Sequence, residues 1–210
     1  MEPTAPDPPA TARAPEPPDP AHLSRLEARR DMLRAEFARI FPAGARFVWE
    51  IGCGHGHFLT AYAAAHPAAL CVGVDQDSFR VRRAVKKQAS ARLANLHFLR
   101  AEARLFLAAL PPGVELAAVF ILFPDPWPKR RHHKHRLLQA DFFQALAERA
   151  GQGTPFYFRT DHGDYFREVE ELLAAHPDWR IAPTAPWPFE EPTVFQQKAA
   201  AHHSLVALRR

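Results

Sequence analysis

Short apolar runs alternate with helix-like stretches through most of this chain. Four of the runs are RFVWEI, LCVGVD, NLHFL and LAAVFIL, which begin at residues 46, 70, 95 and 116. They are rich in aliphatic and aromatic residues, as buried strands are, and the segments between them have room for helices. Parallel strands need such crossover connections, so the alternation predicts an α/β fold with a mostly parallel sheet flanked by helices.

The second half of the chain continues this pattern. It contains a helical stretch near 137–150, the run PFYFRT at 155–160, the amphipathic stretch DYFREVEELLAAH at 164–176 and the apolar run HSLVALR at 203–209. Period-two and helical patterns therefore predict two further strands and two further helices. No segment of the chain repeats internally.

Residues 1–21 differ from the rest in composition. Eight of the 21 prolines fall within residues 1–20, and the only large apolar residue there is Met1. Such a segment cannot bury a core, so we expect a disordered tail over 1–21 and a single domain over 22–210. The domain begins with a helix in which Leu23, Leu33 and Phe37 share one face. Packing against the core is the favoured interpretation of that helix, and contact with RNA through its arginines is the alternative.

Charge and cysteine content limit the function classes. The formal net charge is +4, and residues 1–20 hold four acids against one arginine, so the remaining chain carries +7. A basic domain favours a polyanionic partner. Cys53 and Cys71 lack CxxC spacing, which indicates neither a disulfide framework nor a zinc site and favours a reducing cytoplasm. The sequence has no signal-peptide pattern and no long apolar run, so we expect a soluble protein outside the membrane.

Three glycines, Gly52, Gly54 and Gly56, follow the first predicted strand in the segment VWEIGCGHGHF. A glycine-rich turn between a strand and a helix lets the backbone approach a nucleotide-like ligand. A dinucleotide fingerprint would have its third glycine at position 57, which is His57. The G-x-G-x-G spacing instead resembles motif I of S-adenosylmethionine-dependent methyltransferases.

Carboxylates lie at or just after the ends of the first three predicted strands. Asp75 ends the second run, where an acid can accept hydrogen bonds from both ribose hydroxyls of an adenosine; the alternative is that it caps the following helix. Glu50 can orient the cationic end of the ligand or satisfy loop amides. Glu102 is placed to approach an adenine edge, and its alternative is a role in starting a helix.

A proline-rich and strongly basic stretch, LFPDPWPKRRHHKHRL, follows the fourth predicted strand at 122–137. It resembles the F-P-D-P-W-x-K-x-R-H-x-K-R-R signature of the tRNA (guanine-N7)-methyltransferase family. TDHGDYF at 160–166 and PTVFQQK at 192–198 resemble two further segments of that family, and the resemblance as a whole extends over most of residues 45–210. The resemblance implies a Rossmann-like class I methyltransferase fold with an antiparallel strand near the C-terminus.

The same resemblance implies roles for particular residues. Those that would line the cofactor site are Glu50, Asp75, Glu102 and Asp125, and Asp125 would also face the reacting base. Those that would contact the substrate are Lys129, Asp161, Thr193, Val194, Phe195 and Gln196. The family has Glu where this chain has Gln196 and Arg where it has Lys198, so the recognition half matches less well than the catalytic half.

A carboxylate at position 125 suits methyl transfer to guanine N7. That nitrogen has an exposed lone pair, so the reaction needs no strong base, and the sulfonium carbon is electrophilic enough to need no metal. Positive charge leaves sulfur and grows on the purine, so a fixed carboxylate beside the base stabilises the transition state. Pro124, Pro126 and Pro128 restrict the backbone that carries Asp125.

The cations that follow Asp125 favour its ionised form and are candidates for contacts with tRNA phosphates. They are Lys129, Arg130, Arg131, Lys134 and Arg136. Trp127 either stacks on a base or packs in the core. The histidines at 132, 133 and 135 lack a companion cluster of ligands, so we expect no metal site.

The sequence thus predicts a cytoplasmic enzyme that moves a methyl group from S-adenosylmethionine to N7 of a guanine in tRNA, with no membrane, DNA or obligate protein partner. The resemblance implies guanine 46 in the variable region as the target. Two alternatives are a methyltransferase acting on another RNA or base atom and an inactive tRNA-binding module that retains the fold. The intact glycine loop, Asp75 and Asp125 argue against a loss of activity.

Overall fold

The computed structural model describes residues 19–191 and 201–210. The helices are α1 (Pro20–Ile40), α2 (His57–Ala65), α3 (Ser78–Ala91), α4 (Ala103–Ala109), α5 (Ala140–Ala147) and α6 (Gly163–Ala175). The strands are β1 (Arg46–Ile51), β2 (Leu70–Asp75), β3 (Leu96–Arg100), β4 (Glu115–Leu122), β5 (Pro155–Thr160), β6 (Trp179–Ile181) and β7 (His203–Arg209). A short 3-10 helix spans Arg130–His135. Residues 1–18 of the predicted tail and the predicted substrate segment 193–196 lie outside the described residues.

The strands of the described residues form one seven-stranded sheet in the order β3-β2-β1-β4-β5-β7-β6. The first five strands pair in parallel, and β7 pairs antiparallel with both β5 and β6. The predicted mostly parallel sheet with an antiparallel C-terminal strand is therefore confirmed. Because parallel strands share a direction, the carboxyl ends of β2, β1, β4 and β5 meet at one edge, where ligands bind in such sheets. We call this the carboxyl edge.

Helices cover both faces of the sheet because successive strand residues point to opposite sides. On one face the Phe106 ring of α4 lies 5.1 Å from the Phe37 ring of α1 and 4.9 Å from the Trp49 ring of β1. On the other face the Phe58 ring of α2 lies 4.9 Å from the Phe120 ring of β4. All five rings are buried. Each contributes on the order of 2–3 kcal/mol by burial, so the sheet that presents the carboxyl edge is rigidly held.

The arginine-rich helix α1 packs on the core through its second half. Leu33 and Phe37 are buried, whereas Leu23 is 45% exposed. The helix begins two residues before the predicted start because the Asp19 side chain accepts a hydrogen bond from the Ala21 N–H at 3.0 Å and a proline occupies the first turn. Core packing is thus confirmed for the second half of α1, and the prediction that Leu23 belongs to the core is wrong.

Two elements differ from the sequence prediction. The strand β6 has three residues and forms because it pairs with β7 while the Trp179 side chain is buried. A three-residue strand is too short to show a period, so the pattern could not predict it. The helix α5 spans Ala140–Ala147 within the predicted 137–150, and residues 137–139 before it belong to no helix.

Within residues 19–191 and 201–210, no helix is both long and apolar enough to cross a membrane. No cluster of three or more His, Cys, Asp or Glu side chains in those residues has an arrangement that could hold a metal ion. Cys53 and Cys71 are buried free thiols, and burial raises the pKa of Cys71 to about 12. The Cys71 thiol is therefore protonated and unreactive near neutral pH.

Candidate active site

The glycine loop crosses the carboxyl edge between β1 and β2. The Gly52 N–H donates to the Val74 carbonyl at 2.9 Å, which fixes the start of the loop. Gly54 has a φ of 54°, and a Cβ built there would meet nothing within 4 Å among the described residues. A Cβ on Gly56 would lie 2.5 Å from the Phe98 ring. Gly56 therefore permits close packing, whereas the backbone at Gly54 is left open for a ligand to approach.

Asp75, at the end of β2, is only 8% exposed and holds the glycine loop. One of its oxygens accepts from the Gly54 N–H at 3.0 Å and the other from the Asp77 N–H at 2.8 Å. Asp77 caps α3, with its side chain accepting from the N–H groups of Phe79 and Arg80, so the alternative in which Asp75 caps that helix is wrong. Each Asp75 oxygen accepts one hydrogen bond in this arrangement, and a carboxylate oxygen can accept two. Capacity for a hydroxyl donor remains.

Glu50, near the end of β1, is 4% exposed. Its Oε2 atom is buried and has no hydrogen-bond partner among the described residues. Burial, with a smaller contribution from the negative charge of Asp75, raises the pKa of Glu50 to about 8, although a hydrogen bond from the Leu59 backbone opposes the shift. A buried carboxyl oxygen without a partner is costly. A cationic or hydrogen-bond-donating group in the ligand would satisfy this oxygen.

Glu102 follows β3 and begins α4. Its two carboxylate oxygens accept from the Arg104 N–H at 2.9 Å and the Leu105 N–H at 2.8 Å. The helix-starting role that the sequence left open is therefore present in the structure. The side chain is half-buried, so contact of Glu102 with an adenine edge stays a prediction.

The loop that carries Asp125 follows β4 at the carboxyl edge, and Asp125 is exposed. Phe123 and Trp127 flank the acid with φ values of 51° and 43°, a region that bulky residues rarely adopt. Such residues cost on the order of 1–3 kcal/mol and concentrate at functional sites. The Phe123 N–H donates to the Arg159 carbonyl at 2.8 Å, so the β4–β5 pairing fixes the loop where it starts. Trp127 is 39% exposed, and its predicted alternative place in the core is wrong.

Of the five predicted phosphate-binding cations, four are exposed: Lys129, Arg130, Arg131 and Lys134. Arg136 is not one of them, because its side chain is fully buried. Its Nε donates to the Pro126 carbonyl at 2.8 Å, its Nη1 pairs with the Glu168 carboxylate of α6, and the guanidinium lies 4.7 Å from the centroid of the Tyr165 ring. The assignment of Arg136 to the tRNA backbone is corrected: a guanidinium enclosed in this way cannot reach a phosphate.

A second buried arginine lies near the end of β5. Arg159 is 5% exposed, its two terminal nitrogens donate to the two Glu190 carboxylate oxygens at 2.9 and 2.8 Å, and its guanidinium lies 3.9 Å from the Trp187 ring centroid. The ion pair with Arg159 holds the pKa of Glu190 below its usual value. Asp161, one residue beyond β5, is exposed at the carboxyl edge.

Sequence reasoning missed both buried arginines. Arg159 stands inside the apolar run PFYFRT, and a lone cation in such a run was the available signal. Arg136 stands in an uninterrupted basic run, where no pattern separates a buried arginine from an exposed one. The structure brings Glu50, Asp75 and the glycine loop together at the ends of β1 and β2, with the Asp125 loop at the end of the adjacent strand β4.

A family model described as "Putative methyltransferase" matches residues 45–206. The chain belongs to this methyltransferase family. Curated relatives are named tRNA (guanine-N(7)-)-methyltransferase. The one from Treponema pallidum (strain Nichols) is 36% identical over 157 residues, which are 75% of this chain and 63% of the relative. The one from Syntrophotalea carbinolica is 37% identical over 139 residues, 66% of this chain and 60% of the relative.

This chain therefore spans about three fifths of the length of those relatives. Among solved structures, precorrin-6y C5,15-methyltransferase from Geobacter metallireducens GS-15 is similar with a TM-score of 0.54 and 14% identity over 86% of each chain. At that identity the likeness concerns the fold alone. The predicted Rossmann-like class I methyltransferase fold and the predicted family are both confirmed.

Proposed function

We propose that this methyltransferase moves the methyl group of S-adenosylmethionine to N7 of guanine 46 in the variable region of tRNA. The names of its curated relatives support tRNA and guanine N7. The resemblance of residues 122–137 to the family signature supports position 46. A tRNA substrate and the two free thiols favour the cytoplasm as the compartment. In this proposal residues 22–210 act as one domain, and the enzyme needs no obligate protein partner.

The residues at the ends of β1 and β2 fit the proposed cofactor. The bound cofactor supplies an electrophilic methyl group on a positively charged sulfur. Asp75 retains acceptor capacity for ribose hydroxyls, the open backbone at Gly54 lets the ligand approach, and the unpartnered Glu50 oxygen suits a cationic group. A pair of carboxyl groups at a cofactor site that binds a cation stabilises the bound reactant.

Asp125 is the group we assign to the reaction itself. The purine gains positive charge as the bond to N7 forms, and a carboxylate held beside the base is favoured more strongly then than before. The side chain acts here as a carboxylate, and four exposed cations follow it between 129 and 134. No proton has to leave N7, so Asp125 acts through its charge and its position.

One observation carries the proposal. Asp125 is an exposed carboxylate on a loop with two non-glycine residues at positive φ, at the edge where the glycine loop and Asp75 also lie. The exposed cations of the adjoining 3-10 helix complete a site with an acid for the base and positive charge for the phosphates.

A tRNA transcript with guanine 46 and isotopically labelled S-adenosylmethionine tests the activity directly. We expect 7-methylguanosine in the nucleoside digest by mass spectrometry. A matched transcript with 7-deazaguanosine at position 46 keeps the base shape but replaces N7 by carbon, and should accept no methyl group. Methylation of that transcript, or of a different base atom in the guanine-46 transcript, would show that the target is wrong.

The raised pKa of Glu50 predicts a pH-linked binding step. A carboxyl group with a pKa of about 8 is mainly protonated at pH 7, and a bound cation favours its ionised form. Cofactor binding at pH 7 should therefore release up to about one proton from Glu50, and the release should vanish as the pH rises well above 8. Calorimetry in buffers of different ionisation enthalpy measures the number of protons released on cofactor binding. In the Glu50→Gln variant, whose side chain cannot ionise, proton release should be smaller by the contribution of Glu50. Equal proton release from both proteins would contradict the prediction.

The exposed cations after Asp125 predict a salt-dependent interaction with tRNA. Replacing Arg130 and Arg131 together by glutamine should reduce the slope of log affinity against log salt by roughly 0.7–0.9 for each phosphate that the variant no longer neutralises. The matched control replaces Arg46, at the start of β1, and Arg180, in β6. Both side chains are exposed, and both lie away from the carboxyl edge. It removes the same charge and should leave the slope unchanged. An equal change in both variants would mean that net charge alone acts.

A further inference from the structure

The helix α3 carries an unusual excess of positive charge. Its fourteen residues contain no acid and five cations: Arg80, Arg82, Arg83, Lys86 and Lys87. Arg80 pairs with the capping acid Asp77 at 3.8 Å and with Asp75 at 3.9 Å. Arg82, Arg83, Lys86 and Lys87 form no ion pair with the acids among residues 19–191 and 201–210. Most of the charge on this helix is therefore uncompensated.

The uncompensated cations lie on the outer face of α3. Val81 and Ala84 are buried against the sheet, whereas Arg82, Arg83 and Lys86 are exposed. Phe79, on the same outer face, is 53% exposed, and the Arg83 guanidinium lies 5.1 Å from its ring centroid. We call Phe79, Arg82, Arg83 and Lys86 the α3 surface. Three cations on one helix face, one of them over an exposed aromatic ring, are typical of a surface that binds nucleic acid.

The α3 surface adjoins the glycine loop. The Phe79 ring lies 6.3 Å from the ring of His55, and the Lys87 Nζ lies 2.6 Å from the His57 Nδ1. α3 follows β2, and the basic 3-10 helix follows β4, with only β1 between these two strands in the sheet. Two inter-strand spacings, from β2 across β1 to β4, add up to about 10 Å. The α3 surface and the 3-10 helix therefore flank the same edge, on either side of the glycine loop.

We propose that the α3 surface binds the phosphate backbone of the tRNA whose guanine reaches Asp125, a second anchoring region that rests on the proposed function. Charge complementarity favours a polyanion because α3 carries no acid. A membrane-binding helix would need a broad apolar face, and only Phe79 and Val85 of this helix are large apolar side chains exposed to solvent. Phosphate contacts on two sides of the edge would fix the orientation of the tRNA, which one basic segment cannot do.

The test is the double variant Arg83→Gln with Lys86→Gln in the full chain. We expect weaker binding of a tRNA transcript and a salt slope reduced by roughly 1.4–1.8, the change expected when two phosphates are no longer neutralised. Neither residue lies on the Asp125 loop, so the loss should appear first in tRNA affinity and in its salt dependence. The control variant with Arg46 and Arg180 replaced by glutamine should retain the slope of the unmodified protein. Thermal unfolding of both variants checks that they are folded.

The outcomes separate this inference from the proposed function. An unchanged salt slope in the α3 variant, while the unmodified protein still makes 7-methylguanosine, would overturn the inference and leave the function intact. An equal loss of slope in the control variant would overturn it too, because the effect would then come from net charge. Failure of the unmodified protein to methylate guanine N7 in tRNA would overturn the proposed function itself.

Discussion

Replacement of Asp125 by alanine is expected to lower the rate of methyl transfer about a hundred- to a thousand-fold, the usual cost of removing one preorganised electrostatic interaction. Asp125 is exposed on a strained loop, so its removal leaves no cavity and should not unfold the protein. Single-turnover measurements with saturating tRNA and cofactor isolate the chemical step from product release. Binding of tRNA should remain, because the exposed cations of the 3-10 helix are intact.

The Asp125→Asn variant separates charge from hydrogen bonding. It retains the shape and part of the hydrogen-bonding capacity of the side chain but carries no charge. If Asp125 acts by stabilising the cationic purine, the asparagine variant should be nearly as slow as the alanine variant. Near-normal turnover of the asparagine variant would make Asp125 a hydrogen-bonding clamp, and near-normal turnover of both would place the active site elsewhere.

The strands were largely predictable because each is an apolar run closed by polar or turn-forming residues. The bounds of β1, β2, β5 and β7 agree with the predicted runs RFVWEI, LCVGVD, PFYFRT and HSLVALR. The exception, β6, owes its existence to pairing with β7 and to the burial of Trp179. Interactions of that kind depend on tertiary structure and leave no local period in the sequence.

The geometry at the ends of β1 and β2 was predictable for a different reason. The glycine loop and Asp75 are set by local chain geometry, since the loop must turn directly after β1 and the acid ends the neighbouring strand β2. The unpartnered oxygen of Glu50 was not predictable, because its environment comes from residues distant in sequence. The roles assigned to these residues toward a bound cofactor stay predictions.

The basic run shows where sequence reasoning fails. Lys129, Arg130, Arg131, Lys134 and Arg136 form one run in the sequence, yet the last of them is buried and the others are exposed. The difference arises because α6 supplies Glu168 and Tyr165, whose positions depend on the packing of the second half of the chain. A charge pattern alone predicts exposure, and only the fold identifies the arginine that is enclosed.

Arg136 is expected to be a positioning residue for the Asp125 loop. It joins the Pro126 carbonyl, one residue beyond the acid, to Glu168 on α6. Replacing Glu168 by glutamine leaves the buried guanidinium without its anion, and breaking such a pair costs on the order of 3–5 kcal/mol of unfolding free energy. The upper end of that range applies to pairs in which both partners are enclosed. Because 30% of the Glu168 side chain is exposed, we expect a loss of unfolding free energy near the lower end. Chemical denaturation measures this loss.

The double variant Arg136→Met with Glu168→Gln distinguishes positioning from stability. Methionine fills much of the arginine volume without a charge, so removing both charges together should restore most of the unfolding free energy lost in Glu168→Gln. The bond to the Pro126 carbonyl is absent in the double variant, so the Asp125 loop should remain loose. Misplacement of a reacting group by about 1 Å can cost about a hundredfold in rate, and we expect the single-turnover rate to fall about ten- to a hundredfold with tRNA affinity little changed. A double variant that recovers both stability and rate would show that Arg136 serves the fold alone, because the loop would then be placed correctly without it.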